Sequence, residues 1–288
     1  MGRASLLGSV PAILNVTSLK WIFMPSASPL ISVMAATAIK AGRALRRDFG
    51  EVEALQVSRK GPADFVSNAD IKSERLIRKE LEKARPGWSF LMEEGGVIEG
   101  EVGRPRWIVD PLDGTTNFLH GLPHFAVSIG VEQGGELTAG VIYDPIKDET
   151  FWAEKGVGAY LNQRRIRVSA RDKLPDALLA TGIPFLGSKA KRHDRYLAEM
   201  RAAMESTSGV RRWGAAALDL AYVAAGRVDA YWEAGLSPWD IAAGIVLVRE
   251  AGGYVSAIDG TPLRLDSDTI LAANDRLFKP VGDMLRGA

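Results

Sequence analysis

Three observations predict an α/β protein. Helical and strand-like apolar spacing alternate along most of the chain. The middle is a run of short β-type segments cut by Gly, Pro and Asp turns. No linker, low-complexity tract or internal repeat divides the 288 residues, so one compact unit with two subregions fits better than two independent domains.

From about Leu30 to Phe49, Ile31, Met34, Ala35, Ala38, Ile39 and Leu45 recur at helical spacing. Asn68 to Ala84 reads as a second helix, with Ile71, Leu76, Ile77 and Leu81 inward and a Lys/Arg/Glu face outward. Pro86-Gly87 ends it, and Ser89–Met92 follows as a short buried strand. Arg106–Asp110, Ala126–Gln133, Thr138–Asp144, Thr150–Lys155 and Ala159–Leu161 are the central strands. After Pro175 the expected order is strand Ala177–Thr181, helix Lys189–Ser206, helix Ala215–Ala225 and strand Val228–Trp232. Helix Ile241–Ala251 and strands near Tyr254–Ala257 and Ile270–Ala273 complete the reading.

Composition narrows the chemistry. The 47% hydrophobic and 25% charged content suits a globular protein with a real core. A net charge of +1 supplies no bulk attraction to nucleic acid or acidic membranes, so neither is expected as a partner. With no cysteine and three histidines outside any H-E-x-x-H pattern, thiolate and histidine-rich metal sites are excluded, and any metal should be held by carboxylates. No apolar run approaches the roughly 20 residues of a membrane span. Pro11 and Asn15 interrupt the apolar run of the first segment, and no A-x-A-like site follows it. Met24 is a more convincing start. Residues 1–23 therefore read as an upstream extension, disordered or a start-site artefact, of a cytoplasmic protein whose main domain is 24–288, with subregions near 24–170 and 171–288.

The segment Trp107-Ile108-Val109-Asp110-Pro111-Leu112-Asp113-Gly114-Thr115-Thr116-Asn117 is the most informative. An apolar run ends in an aspartate, a proline turns the backbone, and a second aspartate follows three residues after the first. Two hard anionic ligands on a rigid turn suit Mg²⁺. The Gly-Thr-Thr could present backbone N–H groups to a phosphate if a helix begins there. The plain alternative is that Asp-Pro and Asp-Gly mark a turn and Thr caps a helix.

Other acidic residues stand at comparable points: Asp70 after Phe65–Ala69, Glu93 after Phe90-Leu91-Met92, and Asp240 after Pro238-Trp239. Taken singly, Asp70 and Asp240 fit helix N-caps, and Glu93-Glu94 fits a solvated turn. Together with Asp64–Asp70, Glu93-Glu94-Gly95, Gly214–Leu218 and Trp239–Gly244, the segment resembles the inositol monophosphatases. It resembles particularly the bacterial extragenic-suppressor type, within the magnesium-dependent, lithium-sensitive sugar phosphatases. The motifs occur in the family's order and spacing from about residue 30 onward. The resemblance implies a layered αβαβα sandwich of the sugar-phosphatase type, α/β in the broad sense and α+β in detail.

By that resemblance one Mg²⁺ is held by Glu93, Asp110 and the carbonyl of Leu112. A second is bridged by Asp110 and held by Asp113 and Asp240, and a third, weaker ion attaches at Glu93. Asp70 hydrogen-bonds Thr115, and the pair orients an activated water for in-line attack on phosphorus; with Glu93 they form the catalytic set. Backbone N–H groups of Gly114 and Thr115 hold phosphate oxygens, and Glu233, with Gly214 and Ala216 nearby, meets inositol hydroxyls. Lithium sensitivity and a homodimer are implied by the family alone. The physical logic agrees: clustered carboxylates raise one another's pKa values, and divalent ions relieve that repulsion. Two such ions on the order of 4 Å apart can clamp the attacking and leaving oxygens.

The activity implied is hydrolysis of inositol 1-phosphate or a similar polyol phosphate. Fructose 1,6-bisphosphate and 3′-phosphoadenosine phosphates are alternative substrates of the same superfamily. Glu233 favours a neutral polyol end, because it would repel an adjacent second phosphate. An aspartyl nucleophile of the D-x-D-G-T type is disfavoured by the three-residue spacing, and a serine hydrolase by the lack of G-x-S-x-G. A regulatory role in transcription or ribosomal RNA synthesis through protein partners is the other class, with Lys189–Arg195 a basic run that ordinarily forms a solvated helix face. Met92 stands where many relatives carry a small residue, and Ala215 where some carry Ser or Thr. His120 and His124, close after the Asp110–Asn117 segment, read as residues behind the ligands or as packing residues rather than as ligands, since Mg²⁺ prefers oxygen, and Trp107, Trp213, Trp232 and Trp239 read as core.

Overall fold

The computed structural model describes residues 27–50, 57–59, 65–184 and 190–288. Residues 1–23, expected to be an extension, and Lys189, expected to open a helix, lie outside the described residues. Among the described residues the helices are α1 (Pro29–Phe49), α2 (Asn68–Ala84), α3 (Thr115–Leu119), α4 (Ala190–Ser206), α5 (Ala216–Ala224), α6 (Pro238–Glu250) and α7 (Phe278–Arg286). Strands β1 (Val57–Arg59) and β2 (Phe65–Ser67) form an antiparallel pair leading into α2. An eight-stranded sheet contains β3 (Ser89–Met92), β4 (Gly96–Ile98), β5 (Arg106–Asp113), β6 (Ala126–Gln133), β7 (Glu136–Asp144), β8 (Glu149–Glu154), β9 (Gly158–Leu161) and β10 (Arg164–Ile166). Its spatial order is β10-β9-β8-β7-β6-β5-β3-β4. A five-stranded sheet contains β11 (Leu178–Thr181), β12 (Gly209–Arg211), β13 (Ala230–Ala234), β14 (Tyr254–Ser256) and β15 (Thr269–Ala273), ordered β12-β11-β13-β15-β14.

The layers follow from which faces are apolar. Helix α1 starts at Ser28, whose hydroxyl accepts the Ile31 N–H at 3.2 Å, with Pro29 at the first helical position. Its buried stripe of Ile31, Met34, Ala38 and Leu45 packs with α2 against one face of the large sheet. Helices α5 and α6 cover the other face and are apolar nearly all round, because the five-stranded sheet covers them in turn. Helices α4 and α7 close the outer face of that smaller sheet around Trp232, Leu271, Val281 and Leu285. The result is the expected αβαβα sandwich.

Boundaries agree with the sequence to within about two residues at most elements, and the differences have local causes. Helix α6 begins at Pro238, three residues early, because Ser237 rather than Asp240 is its N-cap. Strand β5 runs on through Pro111 to Asp113 by way of a bulge. Helix α7 was not expected, although Leu277, Val281 and Leu285 recur at helical spacing; Pro280 falls in its first turn, where a missing N–H costs nothing, and burial of Val281 and Leu285 against β15 stabilises it.

Close layering requires small residues at specific points. A Cβ on Gly140 of β7 would lie 2.5 Å from the Ala243 carbonyl oxygen of α6, and one on Gly130 of β6 would lie 2.9 Å from the Ala242 Cβ. Gly140→Val is therefore expected to cost about 1–3 kcal/mol or more by forcing α6 off the sheet. A fall in the denaturation midpoint with an unchanged m-value would show it; wild-type stability would refute the packing argument.

Candidate active site

The centre of the site is the bulge in β5. On a regular strand, residues three apart point to opposite faces. Here Asp110 pairs with Ser128 and Asp113 with Ala126, so three steps along β5 match two along β6. The extra residue at Pro111-Leu112 returns both carboxylates to one face. Strand β3 lies parallel beside β5, with Met92 opposite Val109, and the Glu93 N–H continues the ladder to the Val109 carbonyl at 3.3 Å. Glu93 thus emerges next to Asp110 at the carboxyl ends of two parallel strands.

Helices bring the remaining acids. Asp240 is the third residue of α6, and its Oδ2 accepts the Ser237 N–H at 2.7 Å, half of a capping box. The N-terminus of α5 faces Asp113, whose Oδ2 accepts the Ala217 N–H at 2.8 Å. Asp70, in the first turn of α2, is 1% exposed. The Thr115 hydroxyl donates to the Leu112 carbonyl at 3.0 Å and lies 3.4 Å from Asp70 Oδ2. Gly114, at φ +91°, turns the chain into α3, and a Cβ there would lie 3.0 Å from the His124 carbonyl oxygen. The turn accordingly leaves the Gly114 and Thr115 region at the start of a helix beside the carboxylates. All the metal and catalytic positions expected from sequence converge on one place.

Burial, with mutual repulsion, governs the charges. Desolvation, then Asp70 and Asp240, pushes the Glu93 carboxyl up to about 9. Desolvation and Asp240 raise Asp113 to about 8, against the stabilising Ala217 N–H. Asp110 is raised well above the usual range by burial and then by Glu93, and burial raises Asp240 to about 6. Among the described residues, no three of these side chains already close around one point. Glu93 and Asp240 both lie close enough to Asp110 to influence its charge, and the raised values follow from that crowding. A set of hard oxygen donors with this excess of negative charge fits Mg²⁺, which keeps several waters and needs no closed protein cage.

The positions expected to meet the substrate's alcohol lie on the smaller sheet and at the start of α5. Glu233, at the end of β13, accepts the Tyr231 hydroxyl at 2.5 Å, and burial raises its pKa to about 7. Gly182 lies against this carboxylate, which leaves no room for a side chain there. Asn117 Nδ2 donates to the carbonyls of Trp213 at 2.8 Å and His124 at 2.9 Å, which ties the loop carrying Gly214, just before Ala216 opens α5, to the Asp110–Thr115 turn. His124 is a packing residue: burial lowers its pKa to about 4, and its ring sits 6.0 Å from those of Trp213 and Tyr222. Trp107 and Trp232 are core as expected, whereas Trp213 and Trp239 are only half-buried.

Sequence reasoning missed three supporting residues. Ser73 Oγ donates to the Pro111 carbonyl at 2.9 Å, and Glu74 Oε2 accepts the Glu94 N–H at 2.8 Å. With Asp70 they form one stripe of α2, at i, i+3 and i+4, in line with the core residues Ile77 and Leu81. Polar side chains on an apolar stripe were the available signal. Asp219 of α5 was also unassigned. It is fully buried, neither of its oxygens has a hydrogen-bond partner among the described residues, and desolvation raises its pKa well above normal.

Two outcomes follow from this arrangement. The raised carboxyls bind more protons folded than unfolded, where such groups titrate near about 4. Stability in chelator should therefore fall as pH rises through the folded values toward about 9. Added Mg²⁺ should raise the melting temperature more at about pH 8 than at about pH 6; a pH-independent increment would contradict this. Glu74→Ala should weaken Mg²⁺ affinity by about 10–100-fold, with the far-UV spectrum retained, because the Glu93 turn loses its anchor.

The comparisons with known proteins agree with this geometry. The sequence profile described as the inositol monophosphatase family matches residues 26–282. The chain is 58% identical over 248 residues to the inositol-1-monophosphatase of Mesorhizobium japonicum, covering 86% of this chain and 92% of that one. It is 47% identical to the Nus factor SuhB of Pseudomonas aeruginosa, covering 87% and 93%. The crystal structure of the extragenic suppressor protein suhB of Bartonella henselae superposes with a TM-score of 0.87 at 54% identity, covering 90% and 99%. Fold, site and sequence lead to one assignment: the chain belongs to the inositol monophosphatase family.

Proposed function

We propose that this protein is a Mg²⁺-dependent phosphomonoesterase that hydrolyses inositol 1-phosphate or a similar polyol phosphate, with water as nucleophile. The observation that carries the reading is the bulge at Pro111-Leu112, which puts Asp110 and Asp113 on one face beside Glu93 and Asp240. Glu93, Asp110, the Leu112 carbonyl, Asp113 and Asp240 would hold two or three ions. When bound, Mg²⁺ supplies neutralisation of the phosphate dianion and activation of water near neutral pH. The chain's own part is positioning. Thr115, between Asp70 and the Leu112 carbonyl, orients the attacking water, and Asp70 accepts a proton through that hydroxyl. Backbone N–H groups of Gly114 and Thr115, at the turn into α3, receive phosphate oxygens. Gly214, Ala216 and Glu233 frame the alcohol, and the Tyr231 hydroxyl fixes the Glu233 carboxylate against its hydroxyls.

A homodimer, lithium inhibition and a cytoplasmic location belong to the same reading. No helix among the described residues is long and apolar enough to cross a membrane. The relatives named Nus factor support a second role with a transcription-machinery partner. Within the basic run expected from sequence, Arg192 pairs with Asp268 and Arg195 with Glu199, so these two charges are answered within the fold.

Asp113→Asn should abolish phosphate release from inositol 1-phosphate in Mg²⁺ while the protein stays folded by circular dichroism. A variant with near-normal turnover would sink the assignment.

A further inference from the structure

On the far side of Glu233 lies a cavity of about 530 Å³, walled by the ends of β11 and β13, one face of α4 and the loop between β14 and β15. It sits in the volume range of pockets for drug-sized ligands, which is more than a single polyol ring requires. None of Glu93, Asp110, Asp113 or Asp240 lines it. Glu233 does, and a three-residue connection joins the end of its strand to α6, whose first turn carries Asp240, so this side chain stands between the cavity and the carboxylate cluster. An alcohol whose phosphate sits at that cluster and whose first ring meets Glu233 would direct any further substituent into the cavity.

The lining charges say what that substituent is. Two described arginines, Arg192 and Arg195, face four carboxylates, those of Glu199, Glu233, Asp259 and Asp268. Arg192 is held by Asp268, and Arg195 Nε donates to Glu199 at 2.8 Å. Asp259 is engaged by the Thr261 N–H at 2.9 Å and its hydroxyl at 2.7 Å. Both cations are thus neutralised by their own walls, and the balance is acidic. A second phosphate would meet repulsion, whereas ring hydroxyls, donors and acceptors at once, match alternating carboxylates and guanidiniums.

We propose that this cavity is a second-ring subsite, so that the enzyme also hydrolyses monophosphates of glycosides whose second ring is uncharged, and that its paired arginines exclude bisphosphates. The proposal rests on the phosphomonoesterase reading and names its substrate class. In the reaction a water oxygen forms a bond to phosphorus and the bond from phosphorus to the glycoside oxygen breaks. One water proton ends on the released alcohol and the other stays with the phosphate.

The test is phosphate release by the full chain in Mg²⁺ from inositol 1-phosphate, trehalose 6-phosphate and fructose 1,6-bisphosphate. The wild type should cleave the first two with kcat/KM values within about tenfold of each other, and the bisphosphate far more slowly. Thr261→Trp, at the exposed loop wall, should raise KM for the disaccharide phosphate about tenfold and leave inositol 1-phosphate unchanged. Asp268→Asn frees Arg192 and should improve kcat/KM for the bisphosphate about tenfold, which keeps the proposal testable if the tryptophan variant does not fold. Cleavage of inositol 1-phosphate with no cleavage of the disaccharide phosphate overturns the subsite alone, as does disaccharide turnover indifferent to both variants. Failure to cleave any of the three overturns the phosphomonoesterase reading and the subsite with it.

Discussion

One extra residue in one strand organises this site. Without the bulge at Pro111-Leu112, Asp110 and Asp113 would point to opposite faces of the large sheet, one of them into the α1–α2 core. With it, both face the layer of α5 and α6, where the α5 N-terminus and the first turn of α6 meet them. The bulge is fastened from the opposite layer by Ser73, whose hydroxyl takes the Pro111 carbonyl, and from within by the Leu112 N–H, which donates to Asp110 at 2.9 Å. A proline fits because a bulged position forgoes a ladder hydrogen bond.

Concentrating acids there is costly. Each carboxylate leaves water, and each opposes its neighbours, which is why Glu93, Asp110, Asp113 and Asp240 all hold protons more tightly than free side chains do. The rest of the fold bears that cost through close packing. Gly130 and Gly140 let α6 lie directly on the sheet, and Gly244 lets α5 approach α6 past Leu220. The same contacts set where Asp240 and the Ala217 N–H sit. Stability and cation affinity therefore draw on the same geometry: the layers hold the acids close enough to repel, and that repulsion makes a divalent ion welcome.

Glu233 divides the region into two electrostatic compartments. On one side, among the described residues, burial and mutual repulsion are the main influences on the carboxylates, and a divalent cation would relieve them. On the other, acids and arginines answer one another, and the surface left over suits hydroxyl groups. The Glu233 carboxylate, fixed by Tyr231 and pressed against Gly182, serves both sides.

The sequence by itself determined an α/β chain with its main helices and central strands, and the resemblance its motifs carry supplied the layering. Apolar periodicity located α1, α2 and the central strands, because burial of one face fixes the spacing of apolar residues. The absence of cysteine and the five acids Asp70, Glu93, Asp110, Asp113 and Asp240 pointed to oxygen-only metal chemistry. Tertiary structure decided what spacing does not encode. Ser73, Glu74 and Asn117 gained their roles from backbone groups 20 to nearly 100 residues away, and one chain segment carries no trace of its distant partners. Helix α7 shows its apolar spacing at Leu277, Val281 and Leu285, but only packing on β15 decides that so short a segment, with Pro280 in it, is a helix. The three-residue spacing of Asp110 and Asp113 was visible from the start, but only pairing with β6 showed that it places both on one face: register is a relation between strands, and no single strand contains it.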